Sequence, residues 1–595
     1  MAENGITDPL LPPSSSSDHI ILNLSESQRP SDSPNPFQFI GCSEPPSVPP
    51  ASTVDPFRNG TQNVEGVYEW VKIVACLPLA LVRVVVFGAC LMVGYLATKF
   101  ALWGWKDKEN PMPTWRSRVM WVTRVCARLI LFSFGYQWIK RRGKPAPREI
   151  APIIVSNHVS YIEPIFYFYE LFPTIVASES HDSIPCVGTI IRAMQVIYVN
   201  RFSPSSRREA VNEIKRRASC NGYPRVLLFP EGTTTNGRCL ISFQLGAFIP
   251  GYPIQPIIVR YPHVHFDQSW GSISLGKLMF RMFTQFHNFF EVEYLPVVYP
   301  RDDKLESAAH YAERTGHAMA SALNVVNTGH SYGDLMLHVK AQEAKQDNPS
   351  SYMVEMSRVE KLFKLSSTEA LDFLNRFLSM NPDPSGRVQY HNFLRGLKLK
   401  ACPVSEKIFA FLDVETSGAI TFRQFLFGSA HVMKQPGFHH SCESAFSSCG
   451  GAVKDYIIEK ELRDFIRPAI PGWKDDEVHE LLVLFDHDND GRIGKDDFLS
   501  CLRRNPLLIA FFNPHQLHHH TDIGAKRLST CWSKKSTSSA SASGPEFSTS
   551  FMEACGAGSG SVRGGRKGRK DEDVGALLPL GGGIGQSALC EVEAA

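Results

Sequence analysis

The sequence predicts an α/β domain preceded by a membrane-anchoring helical segment and followed by an all-α region of helix–loop–helix units. Three observations carry that architecture. Ile73 to Thr98 is apolar at membrane length, short β-branched runs alternate with helical patterns from Pro152 to about Pro300, and an acidic loop at Asp486 to Asp497 lies between two apolar helical runs. At 595 residues the chain has room for two or three separately cored domains.

Residues 1–66 are rich in Ser, Pro and Asn and lack apolar periodicity, so a disordered tail is expected there. Met1 to Asp8 is polar and contains no apolar core of a secretory signal. Residues 67–145 are expected to hold membrane-anchoring and interfacial helices. About 20 apolar helical residues cross the hydrocarbon core of a bilayer, and Ile73 to Thr98 exceeds that length with Arg83 as its one charge. A single span is the first expectation, and Arg83 with Pro78 leaves a re-entrant or kinked helix as the alternative. Lys99, Lys106, Lys108, Arg116, Arg118, Arg124 and Arg128 follow this stretch and turn the downstream chain toward the cytosol. Val119 to Ile139 mixes Trp121, Leu129, Phe132 and Trp138 with Arg124 and Arg128, the pattern of an interfacial helix.

Residues 146–335 carry the α/β pattern. Strands are expected at Ile153–Ser156, Thr174–Ser178, Val196–Asn200, Val226–Phe229 and Ile257–Tyr261, with a helix over Ser205–Ala218. Just after the first strand comes Asn157-His158, with Glu163 five positions beyond the histidine. An imidazole can take a proton from a hydroxyl, and a carboxylate on its other nitrogen fixes the tautomer. Further along come Val199-Asn200-Arg201, and later Phe229-Pro230-Glu231-Gly232-Thr233. No Gly-x-Ser-x-Gly elbow appears in the chain.

These blocks, with Tyr252-Pro253-Ile254-Gln255-Pro256, resemble in order the motifs of the glycerolipid acyltransferase family. Arg260-Tyr261-Pro262-His263 and Phe283-Thr284-Gln285-Phe286 look like its lysophospholipid-acylating branch, and the downstream acidic loop fits the plant lysophosphatidylethanolamine acyltransferases that carry EF-hands. The resemblance covers about Val71 to Pro514. It implies an α/β acyltransferase domain that moves an acyl group from acyl-CoA, as co-substrate, to a lysophospholipid, with no catalytic metal. His158 would be the base and Glu163, standing where the family usually has Asp, its orienting acid. Arg201 would bind the acceptor phosphate, Gly232 and Thr233 would approach it through their backbone, and Glu231 would hold Arg201 or a substrate hydroxyl. Asn157 is grouped with these binding residues, as either a donor or a loop-shaping side chain. Lysophosphatidate or glycerol 3-phosphate as acceptor, and a calcium-responsive scaffold with an inactive domain, are the rival readings. The resemblance further implies an endomembrane location, in the endoplasmic reticulum or the Golgi and endosome, with the catalytic and EF-hand regions facing the cytosol.

Residues 351–514 are expected to form the all-α EF-hand region. Asp486, Asp488 and Asp490 occupy positions one, three and five of a calcium loop, Gly491 makes the turn, Arg492 supplies a carbonyl, and Asp497 closes it. Weaker copies begin at Asn381 and Asp413, and a third around Gly450 to Glu461 keeps little beyond its closing carboxylate. Residues 515–595 read as a low-complexity tail. A net charge of +3 and the lack of a basic, aromatic-interleaved stripe argue against nucleic acid as a partner; membrane lipids, lysophospholipid and acyl-CoA are the expected ones. The fourteen cysteines contain no Cys-x2-Cys pair, which argues against a zinc ribbon or a dense disulfide framework.

Overall fold

The computed structural model describes residues 54–105, 110–301, 306–470, 472–486 and 490–512, and only the backbone of Val453. The chain enters through helices α1 (Val67–Leu102) and α2 (Thr114–Ser133) and strand β1 (Ile139–Arg142). It then alternates: β2 (Ile153–Ser156), α3 (Ile162–Glu170), β3 (Thr174–Ser178), α4 (Val187–Ala193), β4 (Ile197–Val199), α5 (Pro204–Ser219) and β5 (Val226–Leu228). After the short β6 (Cys239–Leu240) come β7 (Ile254–Arg260), α6 (Leu275–Phe283), β8 (Phe290–Tyr294), α7 (Ala308–Leu323), β9 (Val326–Asn327) and α8 (Tyr332–Glu343).

Seven strands form one sheet in the order β1-β8-β7-β2-β5-β3-β4, parallel throughout except for the antiparallel β7–β8 pair. β2 is central and wholly buried because its side chains feed two cores. Ile154 packs with Leu227, Ile257 and Phe166 on one face, while Ile153 and Val155 pack with Ile214 of α5 and Met319 of α7 on the other. A strand covered on both sides shows a continuous apolar run, as Ile153 to Val155 does. The expected inner strands and the α5 helix are present to within a few residues at their ends. The sheet also gains β1 and β8, which the sequence pattern did not signal. β1 reads Ile-Lys-Arg-Arg and exposes three of its four residues, as an edge strand can. It belongs to the sheet, so the α/β unit begins before residue 146.

The long apolar helix runs unbroken from Val67 to Leu102, through Pro78. Among the described residues it is the one helix long and apolar enough to cross a membrane. Its 36 residues span roughly 54 Å, well beyond a bilayer core of about 30 Å. It is bound to the domain along that length. Arg281 of α6 reaches Glu69 at 3.5 Å. Farther along, Arg83 donates to the carbonyls of Phe283 at 2.9 Å, Phe286 at 3.0 Å, and Gln285. Near the far end, Thr98 and Thr123 share a hydroxyl contact of 3.1 Å across the α1–α2 seam, where Gly94 lets the two helices close. The opposite stripe, including Trp70, Val74, Leu81, Val85, Met92, Leu96 and Phe100, is exposed. Arg83 is therefore a brace within the protein, buried at 5% exposure, satisfying carbonyls at the end of α6. The interfacial helix expected over Val119–Ile139 is α2, which starts and stops earlier.

Order begins before residue 66, correcting the expected extent of the tail. Phe57 is buried at 2% exposure, and Asn59 donates its amide to the carbonyls of Asp267 and Ser269 at 3.1 and 2.7 Å. Asn236 in turn donates to the carbonyls of Asp55 and Arg58 at 2.7 and 3.0 Å. Val54 to Asn63 is a strap over the catalytic-domain loops.

Among the described residues beyond α8 the chain is helical, with four helix–loop–helix units joined in two pairs. Arg387–Gln389 pairs antiparallel with Ala419–Thr421, and Tyr456–Ile458 pairs antiparallel with Arg492–Gly494. One apolar core, with Phe373, Phe377, Phe393, Phe425 and Phe498 among its members, runs through all of them. The expected tail, 515–595, lies outside the described residues.

Replacing Arg83 with Leu is expected to cost on the order of 3 kcal/mol, because three buried carbonyls lose a charged donor. The readout is the thermal midpoint of the detergent-solubilised protein, and an unchanged midpoint would show that the brace is dispensable.

Candidate active site

His158 stands at the exit of β2, two residues beyond the last strand residue, where ligands collect in parallel sheets. Its ring lies flat on Phe229, with centroids 4.1 Å apart and planes 19° from parallel. Its Nδ1 lies 3.0 Å from Oε2 of Glu163. The pairing assigns the ring proton to Nδ1, leaving Nε2 as acceptor.

Glu163 sits in the first turn of α3 and is wholly buried. Its Oε1 accepts from the backbone of Val159 at 3.2 Å and Ser160 at 3.0 Å, and from the Tyr261 hydroxyl at 2.6 Å. Its Oε2 accepts from Ser160 at 3.0 Å as well as from the imidazole. A helix N-terminus suits a carboxylate, since unpaired N–H groups point at it. The extra methylene of Glu over Asp is taken up by folding the side chain back over this turn.

Asn157 takes the loop-shaping one of its two expected roles. It accepts from the Val259 N–H at 2.8 Å and donates to the Val259 carbonyl at 3.1 Å, so its amide spans β2 and β7. At 2% exposure it shapes the loop and offers little to a substrate. Glu231 corrects an expectation. Its Oε1 accepts the His158 backbone N–H at 2.9 Å, the Ile241 N–H also bonds it, and Thr235 reaches Oε2 at 3.4 Å. It is fully buried and secures the backbone of His158, in place of the expected hold on Arg201 or a substrate hydroxyl. Burial raises its carboxyl to about 8, against the pull of these donors and with a further push from Glu163.

Gly232 adopts φ +76°, the left-handed turn that glycine permits. Thr233 follows with its hydroxyl buried and without a hydrogen-bond partner in the protein. Arg201 lies in the turn after β4 with its guanidinium 4.7 Å from the centroid of the Tyr332 ring. His181 is within electrostatic reach of both Arg201 and His158. Burial holds the His181 imidazole below its usual value, with the Ser178 carbonyl opposing and those two neighbours adding to the shift.

The fold thus gathers His158, Glu163, Glu231, Gly232 and Thr233 on two adjacent strand exits. Sequence reasoning did not single out Tyr261, Phe229, His181 or Tyr332 as members of the site. Tyr261 and Phe229 lay in recognised blocks, but only the fold turns their rings onto Glu163 and His158.

The acidic loop expected to bind calcium is distant in sequence from these residues. Asp488 lies outside the described residues. Asp486 accepts from Gly491 N–H at 3.1 Å through Oδ2, while its Oδ1 is buried without a partner, and Asp490 accepts from Arg492 N–H at 2.7 Å. Asp497 opens the following helix. Among the described residues no three His, Cys, Asp or Glu side chains already cluster as metal ligands. The partner loop carries its own cation: Lys454 Nζ lies 2.8 Å from Oε1 of the closing residue Glu461.

The Glu231 shift has a definite sign. A folded value near 8 against an ordinary 4.5 means the folded chain keeps a proton that the unfolded chain has lost between those values. This contribution to stability falls as pH rises from about 5 to 8. Glu231→Gln is expected to flatten that decline relative to the parent protein, read from melting curves across the same range; parallel curves would refute it.

The Acyltransferase family model matches residues 139–260, the stretch from β1 to the end of β7. The lysophospholipid acyltransferase LPEAT2 of Arabidopsis thaliana is 67% identical over 480 residues, covering 81% of this chain and 89% of that protein. Lysophosphatidylcholine acyltransferase 2 of Mus musculus is 31% identical over 370 residues, covering 61% of this chain and 67% of its own. The crystal structure of the 1-acyl-sn-glycerophosphate (LPA) acyltransferase PlsC from Thermotoga maritima aligns over 42% of this chain and 96% of its own, with 17% identity and a TM-score of 0.32. With a histidine–carboxylate pair at the strand exit and a relative this similar over most of both lengths, the chain belongs to the lysophospholipid acyltransferase family.

Proposed function

We propose that this protein transfers an acyl group from acyl-CoA to the free hydroxyl of a lysophospholipid, with lysophosphatidylethanolamine the expected acceptor among others. The observation that carries this reading is the His158–Glu163 pair, with the acid wholly buried and the base 12% exposed. Nε2 of His158 takes the proton of the acceptor hydroxyl as its oxygen attacks the thioester carbonyl. Glu163 keeps Nδ1–H pointed at itself and favours the imidazolium that forms. Collapse of the tetrahedral intermediate breaks the C–S bond, and the departing thiolate of CoA receives the proton from the imidazolium. The stacked Phe229 ring limits rotation of the imidazole, so the orientation costs little at the moment of reaction. Arg201 is assigned to the acceptor phosphate, for which a guanidinium fork is suited.

The membrane is the expected source of the acceptor. A helix tied to the domain near Glu69, at Arg83 and at Thr98 has no free length with which to leave the domain and cross a bilayer alone. We therefore favour embedding of the exposed α1 stripe from one side, with Trp121, Leu129 and Phe132 of α2 sharing in it. This is the re-entrant or in-plane alternative to a single span. The basic residues after α1 favour the cytosolic side of an endomembrane, either endoplasmic reticulum or Golgi and endosome.

The helical region is proposed to be an EF-hand module of two paired units with one calcium loop at 486–497. The orphaned Oδ1 of Asp486 is the group that fits an incoming cation. Asp488, Asp490, Asp497 and the Arg492 carbonyl would complete its ligands. In the partner loop the Lys454 ammonium already neutralises Glu461, and in the loop from Asp413 the carboxylate is taken by the N–H groups of Ser417 and Gly418 at 3.0 and 2.7 Å. Calcium at the fourth loop would be structural or regulatory, acting through its flanking helices.

His158→Ala is expected to lower turnover at least about 100-fold with membrane association unchanged. Glu163→Gln should cost less. Release of CoA thiol from oleoyl-CoA, followed with a panel of lysophospholipids, measures both; near-normal turnover in His158→Ala would defeat the mechanism. Calorimetry on the full chain should find one dominant calcium site, lost in Asp486→Ala. Two or more tight sites, or a site surviving that change, would overturn the assignment.

A further inference from the structure

A cavity of about 40 Å³ lies between Phe57 of the strap, the turns at 233–234 and 270–272, and one face of α8, where Leu335, His338 and Gln342 recur at helical spacing. Two of these walls are bonded to the loop that carries the catalytic histidine. Trp270 N–H donates to the Val159 carbonyl at 2.8 Å, the Thr234 hydroxyl donates to the Trp270 carbonyl at 2.7 Å, and Thr235 N–H donates to the His158 carbonyl at 2.8 Å.

Three of the lining side chains, Thr233, Trp270 and His338, each carry a buried polar atom with no hydrogen-bond partner among the described residues: Oγ1, Nε1 and Nδ1. Buried polar groups are nearly always paired, so three of them on one cavity mark the place of a polar occupant. The space admits about three water-sized groups. What it asks of an occupant is mixed. The indole N–H can only donate and the threonine hydroxyl can donate, so both suit an acceptor. Burial holds the His338 imidazole below its usual value, with Asp55 opposing, so near neutral pH the ring is uncharged and one nitrogen offers a lone pair. No lining residue carries a fixed charge, and the charge that acts on His338 is the Asp55 carboxylate of the strap. That corner suits a cationic donor.

We propose that this cavity receives the ethanolamine end of the acceptor, a phosphate oxygen accepting from Trp270 and Thr233 and the primary ammonium donating to Nδ1 of His338. The phosphate and amine of that head group are joined by an ethylene unit, so one ligand meets both demands. A trimethylammonium group has no N–H to give, and its methyl groups exceed the space. The inference rests on the lysophospholipid reading of the site, and it makes His338 a determinant of head group, apart from the proton transfer at His158.

The first arm of the test needs no variant. The full-length protein, with oleoyl-CoA, is given lysophosphatidylethanolamine, its N-monomethyl and N,N-dimethyl forms, and lysophosphatidylcholine. kcat/KM should fall along that series, by roughly 10-fold from first to last, as N–H donors to His338 are lost. His338→Leu keeps much of the side-chain volume without the lone pair. It should lower kcat/KM for lysophosphatidylethanolamine roughly 10-fold and leave lysophosphatidylcholine within about twofold of the parent, flattening the series. His338→Gln supplies an acceptor again and should restore part of the slope. The slope is a ratio within one preparation, so the fraction of a variant that folds cancels. Trp270→Phe should lower both ends of the series alike, through the phosphate they share. A flat series in the parent, a slope that survives His338→Leu, or parent-like values in Trp270→Phe overturns the proposal. So does an equal loss for both lysolipids in His338→Leu, the result of a cavity that holds only structural water. In each of these cases continued acylation leaves the lysophospholipid reading standing, whereas no acylation of any member of the series would remove that reading and this inference together.

Discussion

Two carboxyl groups, Glu163 and Glu231, are buried on either side of one histidine, and the rest of the site is arranged to make that tolerable. Glu163 holds the His158 ring and Glu231 holds its backbone N–H. Charge on both, away from water and within reach of each other, would be expensive. The protein answers with donors from four places: the Val159–Ser160 turn, the hydroxyl of Tyr261, the Ile241 backbone and Thr235. The raised value of Glu231 removes a second negative charge from beside the imidazole near neutral pH.

That arrangement requires β2, β5 and β7 to end at the same level. The Asn157 amide, bonded both ways to Val259, fixes the height of β2 against β7, and the β2–β5 pairing brings Phe229 and Glu231 beside His158. The strap at Val54–Asn63 ties the turn after Glu231 through Asn236, and Asp55 also bonds Ser350 at the threshold of the helical region. The long apolar helix, braced through Arg83 to the end of α6, holds its exposed stripe on the same body as the active site. A bilayer met by that stripe is met by a rigid unit, so the site keeps a set height relative to the lipid.

Among the described residues of the helical region, the carboxylates of three loops are satisfied internally, by backbone N–H groups at Asp383 and Asp413 and by the Lys454 ammonium at Glu461. Each internal donor stabilises the closed loop, and the short antiparallel ladders join the loops in pairs. A unit so satisfied serves as a partner for the remaining loop.

The sequence by itself determined the inner strands, the α5 helix, the long apolar helix and the pairing of His158 with Glu163. These are local matters: β-branched runs make buried strands, and a His five residues before an acid spans one strand-exit turn. It also carried the acidic loop from Asp486, since ligand spacing is written along the chain. Tertiary structure alone decided what non-local contacts control. Glu231, read from its block as a hold on Arg201 or a substrate hydroxyl, became a support because the fold brings the His158 and Ile241 N–H groups to it. Arg83, an isolated charge in an apolar run, became a brace because α6 ends beside it. β1 escaped notice because an edge strand needs only one buried side chain, and Tyr332 because nothing in sequence marks a ring that will lie under an arginine 131 residues earlier. Periodicity records which face a residue presents, whereas the partner on that face is chosen only when the layers pack.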